Sequence, residues 1–334
     1  MSKKVKNPFL RDLLRFAFLI FIGFFLVAQA KAQEYPQRPI TVILPTAAGG
    51  ASDLLTRLWA DYASKRLGQA VVVENRPGAG GISASRVVLS KRSDGYTIYS
   101  AGSSSLILNR FTNTALPFDT DKDFVGIAML GRLSFLLVAS NGSRIKTIED
   151  LRKIAKERPN GLNFGSAGPG NATHLLMEMV SQQLGIKLTH IPYKGEAAAV
   201  AALIADEVQL VAPVTTTALP FTSSGRITPV ALIGANRIPE LPNVPTLTEA
   251  GLGEFSRLSI SWAALVARVG TPQQVIHRLH QVTQEFLADP QTQAAFQRIK
   301  IEPMPGPTTM YARAMQDDFK MWSGVAKPLN LRNR

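Results

Sequence analysis

From Ile40 onward the hydrophobic pattern switches repeatedly between the two-residue period of a strand and the period of a helix. Strands are predicted at 40–44, 71–74, 96–101, 135–140, 186–191, 208–212, 229–234 and 260–267. The helical stretches between them carry start and stop signals. Thr147 with Asp150 approximates a capping box, with the shorter acid in place of glutamate. Thr271-Pro272 and Asp289-Pro290 each set a capping residue before a proline at the first helical position. Gly68 stands where a left-handed residue closes the 53–67 helix. Alternation on this scale builds parallel or mixed sheets covered by helices, and 334 residues suffice for two such domains.

The first residues read as an export signal. Lys3, Lys4, Lys6, Arg11 and Arg15 precede an uncharged apolar stretch from Phe16 to Ala28, and Ala30-Lys31-Ala32 has the small-x-small form of a cleavage site. The expectation is a signal peptide over 1–32, cleaved near Ala32, with a mature chain from Gln33; an uncleaved anchor is the alternative reading. No later segment carries an uninterrupted apolar run long enough to span a bilayer. Cysteine is absent, which excludes disulfides, a lipidated N-terminal cysteine, a cysteine nucleophile and thiolate metal sites. Of the formal charge of +13, six basic residues and one acidic residue lie before Gln33, leaving +8. That charge is dispersed and lacks interleaved aromatics, so no nucleic-acid partner is expected. It favours encounter with small anions.

Two strand-glycine-helix units stand well apart: Pro45-Thr46-Ala47-Ala48-Gly49-Gly50-Ala51-Ser52-Asp53, and Gly165-Ser166-Ala167-Gly168-Pro169-Gly170-Asn171 leading into a helix near Thr173. Such turns expose the N–H groups of a helix start, and glycine lets an anion approach them. Neither is a Walker A or GxGxxG sequence, so no nucleotide cofactor is expected. A plain tight turn is the competing reading for each loop. Asp53 fits helix capping better than contact with an anion, unless the ligand also carries an ammonium group. No GxSxG elbow occurs, and Ser166 with His174 as nucleophile and base lacks an orienting acid. His277 and His280 lie i, i+3 with no further ligand nearby, so no metal site is expected. His174 and Glu178 are placed to pair on one helix.

The ordered set of motifs resembles one family, the periplasmic solute-binding proteins of tripartite tricarboxylate transporters, known as Bug or TctC-like proteins. The matching segments are Pro45–Asp53, Val73–Gly81, Asp94-Gly95-Tyr96-Thr97, Gly165–Leu175, His190-Ile191-Pro192-Tyr193-Lys194-Gly195, Leu241–Thr246 with Glu249-Ala250-Gly251, Trp262, and Gly270-Thr271-Pro272. The resemblance implies an α/β, periplasmic-binding-protein-like (type II, Venus flytrap) fold, with a ligand cleft between two α/β lobes. Lobe 1 would combine 33–138 with 256–334, and lobe 2 would be 139–255. It implies a carboxylate clamp built from the backbone of Thr46 to Ser52 (Thr46, Ala47, Gly49, Gly50, Ser52) with Ser166, Ala167 and Gly168, partly through ordered waters, while Asp53 orders the first loop. Ser104, Thr173, His174, Pro213 and Thr215 complete the expected ligand-binding set.

Here the chain departs from the family. After the strand where relatives commonly carry an aromatic and an aspartate, it reads Val208-Gln209-Leu210-Val211-Ala212-Pro213-Val214-Thr215. If position 213 faces the cleft, an amine-recognising acid is missing and Thr215 to Thr217 are neutral hydrogen-bonders, which disfavours an amino-acid ligand. The expected function is non-enzymatic: a monomeric periplasmic receptor that closes around a small carboxylate and presents it to permease subunits of such a transporter. A sensor feeding a signalling protein is the second reading, and a secreted hydrolase using Ser166 the third.

Overall fold

The computed structural model describes residues 35–113, 116–234, 236–253 and 261–329. The signal peptide, its cleavage near Ala32 and the 255/256 lobe boundary lie outside the described residues. Of the unit Met1–Gln37, only the last three residues are described, with a cis Tyr35–Pro36 peptide. Everything below concerns the unit Arg38–Arg334.

Its strands are β1 (Ile40–Leu44), β2 (Val71–Asn75), β3 (Thr97–Gly102), β4 (Phe124–Leu133), β5 (Phe135–Ser140), β6 (Asn163–Ser166), β7 (Thr189–Pro192), β8 (Leu210–Val211), β9 (Ile227–Ile233), β10 (Trp262–Arg268) and β11 (Ile301–Pro303). Its helices are α1 (Ala51–Leu67), α2 (Ile82–Ser90), α3 (Asn109–Thr112), α4 (Thr120–Asp123), α5 (Ile148–Glu157), α6 (Ala172–Leu184), α7 (Glu196–Ile204), α8 (Thr215–Ser223), α9 (Gln273–Ala288), α10 (Pro290–Arg298) and α11 (Thr309–Leu329).

Two sheets divide the strands, in the orders β11-β4-β10-β3-β1-β2 and β7-β6-β8-β5-β9. Each contains a parallel triple with an early strand at its centre: β1 pairs in parallel with β2 and β3, and β6 with β7 and β8. Antiparallel strands extend each triple on one side. The two glycine loops therefore leave the carboxyl end of the central strand of each triple, where the sheet order reverses and open α/β sheets bind ligands. The chain passes from one sheet to the other at Ser134, the single residue between β4 and β5.

Most of the expected elements form. The Thr147–Asp150 capping box closes from both sides, with Asp150 N–H donating to Thr147 Oγ1 and Thr147 N–H to Asp150 Oδ2, each at 3.0 Å. Asp289 caps α10 before Pro290, and Gly68 ends α1 at φ 65°. Thr271 does not cap α9: its hydroxyl donates to Arg268 O at 2.7 Å, and Pro272 occupies the N-cap. β7 starts three residues later than expected, because Ile186 bonds back through its N–H and C=O to Ser181 and closes α6. The expected strand at 208–212 narrows to Leu210–Val211.

The longest strand, β4, has no counterpart among the expected strands. Its sequence, FVGIAMLGRL, is almost continuously buried, so it lacks the alternation that announces a strand. Its glycines answer to neighbours: a Cβ at Gly131 would lie 2.5 Å from Ile301 Cγ2, and one at Gly126 would lie 2.5 Å from Tyr311 Cβ. Strand β11 and helix α11 can approach β4 closely only because those side chains are missing. One buried cluster joins residues of both sheets, from Ile43 and Tyr99 to Phe164 and Leu175.

Candidate functional site

In the first loop, Gly49 takes φ +86°, a left-handed turn that suits glycine, and Gly50 enters the N-cap of α1 with no side-chain cap. The helix therefore presents its first N–H groups without a side-chain acceptor, at its positive end. Thr46, Ala47, Gly49 and Gly50 are exposed and Ser52 is half-buried. Asp53 is buried beneath them. Its Oδ2 accepts from Gly49 N–H and from Arg57 Nε, both at 3.0 Å, and its Oδ1 accepts from Asn75 Nδ2 at 2.9 Å. Asn75 Nδ2 also donates to Thr46 O at 3.0 Å, and Asn75 Oδ1 accepts from Arg57 at 2.9 Å. Burial pushes the Asp53 pKa up, but the bonds from Arg57, Gly49 and Asn75 outweigh it and hold the carboxyl below its ordinary value. Both oxygens are spent on the loop, so Asp53 shapes the site from behind.

The second loop is wired differently. Gly168 N–H donates to Ser166 Oγ at 3.1 Å, Ala167 N–H to Thr173 Oγ1 at 2.9 Å, and Gly170 N–H to His174 Nδ1 at 3.1 Å. Asn171 caps α6 by accepting from Thr173 N–H at 3.0 Å. A ligand reaching this loop meets Ala167 and Gly168 with their N–H groups already engaged, whereas α1 offers uncapped ones.

Beneath the loop lies a stack of rings. Phe164 and His190 are register partners on β6 and β7, which brings His190 beside Ser166. Ser166 Oγ and His190 Nε2 are 2.6 Å apart, so the hydrolase-like pairing of Ser166 falls to His190 instead of His174. The rings of His174 and His190 stack with centroids 3.8 Å apart, and Phe164 stacks on His190 at 4.9 Å. Burial and the adjacent His174 lower the His190 pKa to about 4 against the pull of Glu178, leaving a neutral imidazole. Since His174 Nδ1 accepts a backbone N–H, the His174 proton belongs on Nε2, which faces Glu178 Oε1 at 3.5 Å. Ser166 is 0% exposed, an interior hydroxyl.

The two loops meet through lobe 1. Gly81 packs on Pro45 and Ser105, Asn109 Nδ2 donates to Gly80 O at 2.7 Å, and a Cβ on Gly170 would lie 2.6 Å from Thr112 Oγ1. Ser104, half-buried, opens the turn between β3 and α3. The remaining expected residues sit deeper. Pro213 is buried and its carbonyl accepts from Leu136 N–H at 2.9 Å. Thr215 is buried and bonds Ser134 twice, through its N–H to Ser134 O and through its Oγ1 from the Ser134 hydroxyl, each at 2.9 Å. Gln209 accepts from Asn163 N–H at 3.0 Å, at the end of β6 remote from the glycine loop.

Glu196, absent from the expected set, stands at the start of α7 directly after the His190–Gly195 motif. Its carboxyl is enclosed and pushed up to about 7 by burial, against hydrogen bonds with Thr217 and the Val214 backbone. Its place after a family motif was the one available signal; that Thr217 and Val214 fold onto it is a tertiary fact.

The profile of the family described as tripartite tricarboxylate transporter family receptor (TctC) matches residues 55–331. Among solved structures, the chain is similar to R. palustris Rpa4515 with adipate, at 29% identity and a TM-score of 0.83 over 88% of this chain and 98% of that one. It is similar to the periplasmic binding protein BugD, at 28% identity and a TM-score of 0.81 over 89% and 99%. It is also similar to MatC (Rpa3494) from Rhodopseudomonas palustris with bound malate, at 25% identity and a TM-score of 0.80 over 87% and 100%. The two-sheet architecture, the ordered motifs and these matches agree: this chain belongs to the TctC/Bug family of tripartite tricarboxylate transporter receptors.

Proposed function

We propose that the protein captures a small carboxylate between its two lobes in the periplasm and delivers it to the membrane subunits of a tripartite tricarboxylate transporter. The observation that carries this reading is the uncapped N-terminus of α1 above a neutralised Asp53–Arg57 pair, at the carboxyl end of β1. A fixed set of N–H donors at a helix start attracts a carboxylate with little reorganisation. The second lobe supplies the opposing wall, Ser166 to Gly170, and Ser134 with its two bonds to Thr215 is where the lobes rotate during closure. Adipate and malate, bound by the similar Rpa4515 and MatC, set the size of ligand to try first. Ser166 and His190 form a structural pair in this reading, since a buried hydroxyl presents no nucleophile to a substrate.

The test is thermal unfolding of the purified protein against small carboxylates and their neutral amides. Ligand at 100 times its Kd stabilises the fold by about 2.7 kcal/mol, a rise of several degrees. A shift with a carboxylate and none with its amide is expected; equal shifts with both would remove the anion clamp from the account.

A further inference from the structure

Far from both glycine loops, a cavity of about 410 Å³ opens between α4, the start of β4 and the first half of α11. It shares no residue with the proposed carboxylate site. Phe124, Met315 and Phe319 supply apolar walls, and Gly126 leaves room for the Tyr311 ring to lie flat against the strand. Two hydroxyls line it, Thr120 Oγ1 and Tyr311 Oη, on residues only 2% and 6% exposed, and neither has a hydrogen-bond partner. Burying an unpaired hydroxyl costs about 1–3 kcal/mol, and here two such groups converge on one space. At the rim, Arg110 pairs with Asp121 at 2.8 Å and stacks over Phe319 at 4.0 Å, so the nearest charges cancel.

We propose that this cavity is a second ligand site, taking a small neutral aromatic molecule whose single carbonyl or hydroxyl group pairs with Thr120 Oγ1 and Tyr311 Oη. The volume falls in the range of small-molecule pockets, and apolar walls with a few convergent polar groups are the usual composition of one. A neutral ligand is favoured over an anion because Asp121 already neutralises Arg110. A flat ring fits the space between Phe124 and Phe319, where aromatic faces stack.

The experiment is ligand-observed NMR saturation transfer on the purified protein with benzamide as probe and benzoate as its anionic counterpart, with and without saturating adipate. Benzamide is expected to bind at millimolar concentration, to bind more tightly than benzoate and to be undisturbed by adipate. Thr120→Val and Tyr311→Phe, both close in shape to the originals, should each weaken benzamide about three- to tenfold, the loss of one neutral hydrogen bond. Ala312→Leu, at an exposed helix position on the rim, should block entry without a folding cost. No transfer from benzamide, displacement by adipate, or affinity unchanged in all three variants would overturn the proposal, leaving a cavity that holds only water.

Discussion

Asp53 and His174 hold equivalent stations in the two lobes: Asp53 Oδ2 accepts the Gly49 N–H at 3.0 Å, and His174 Nδ1 accepts the Gly170 N–H at 3.1 Å, each four residues after its glycine. Both lie in the first turn of the helix that follows the central strand of a parallel triple. A side chain reaching back to its own loop fixes that loop before any ligand arrives, which is the preorganisation an anion site needs. The two staples differ in charge, an ionised acid in one lobe and an imidazole in the other, so pH acts on them differently.

Removing the first staple should loosen the loop. Asp53→Ala strips acceptors from Gly49, Arg57 and Asn75 at once, and the expected loss is about 2–3 kcal/mol, read as a fall in Tm of roughly 5 °C. Asp53→Asn keeps one acceptor and should lose about half as much. Because the folded Asp53 pKa is lowered, its contribution is complete above the ordinary carboxylate value and fades as pH falls through the lower folded one. The gap between the wild type and Asp53→Ala, followed by urea unfolding from pH 7 to pH 3, should be widest at neutrality and close in acid. A gap that widens in acid would assign Asp53 another role.

His190 gives a second, separate pH window. Its folded pKa of about 4 lies below the value of 6.5 it has when unperturbed, so on acidification the unfolded chain takes up the proton first. Stability from this group is present above pH 6.5, falls between 6.5 and 4, and is level below. The full shift corresponds to about 3 kcal/mol. In His190→Asn that slope should flatten, whatever the variant costs at neutral pH. An unchanged slope would mean that the His174–His190 stack accepts a proton in the folded state.

Much of this architecture was legible because it rests on local chemistry. The capping box at Thr147, the C-cap at Gly68 and the Asp289-Pro290 start are each decided within four residues, and each formed. What the sequence concealed is what depends on distant partners. Strand β4 is buried along nearly its whole length, so its pattern matches a buried helix as well as a strand. Ser166 and His190 are 24 residues apart and meet only because β6 and β7 pair in parallel at one register. The first loop was recognisable from its glycines; the four-residue reach of Asp53 is local, but its bonds to Asn75 depend on β1 and β2 lying side by side.

Gly170 tests the contact between the lobes. At φ +72° an alanine is strained by about 1–2 kcal/mol, and its Cβ would stand 2.6 Å from Thr112 Oγ1 and 2.8 Å from Thr112 Cβ. Gly170→Ala should therefore lose about 2 kcal/mol or more. Thr112→Gly in the same chain should recover the steric part and leave the backbone strain, a coupling of about 1 kcal/mol in a double-mutant cycle by urea unfolding. Strict additivity would mean that the second loop stands clear of Thr112 in solution.

Glu196 should make ligand capture depend on pH. Its folded pKa, about 7, lies above its ordinary value of 4.5, so between those limits the folded protein keeps a proton that the unfolded chain has released. Stability from this group is fully present below pH 4.5, falls as pH rises towards 7, and is level above. Glu196→Gln removes the penalty: it should match the wild type at pH 4 and exceed it at pH 8 by on the order of 2 kcal/mol in urea unfolding. The same ionisation places a negative charge beside Val214 and Thr217, next to the segment expected to recognise the far end of the ligand. Adipate affinity, measured by calorimetry, should accordingly weaken across pH 6–8 in the wild type and stay level in Glu196→Gln. A parallel decline in both proteins would place Glu196 outside the ligand's reach while leaving its effect on stability intact.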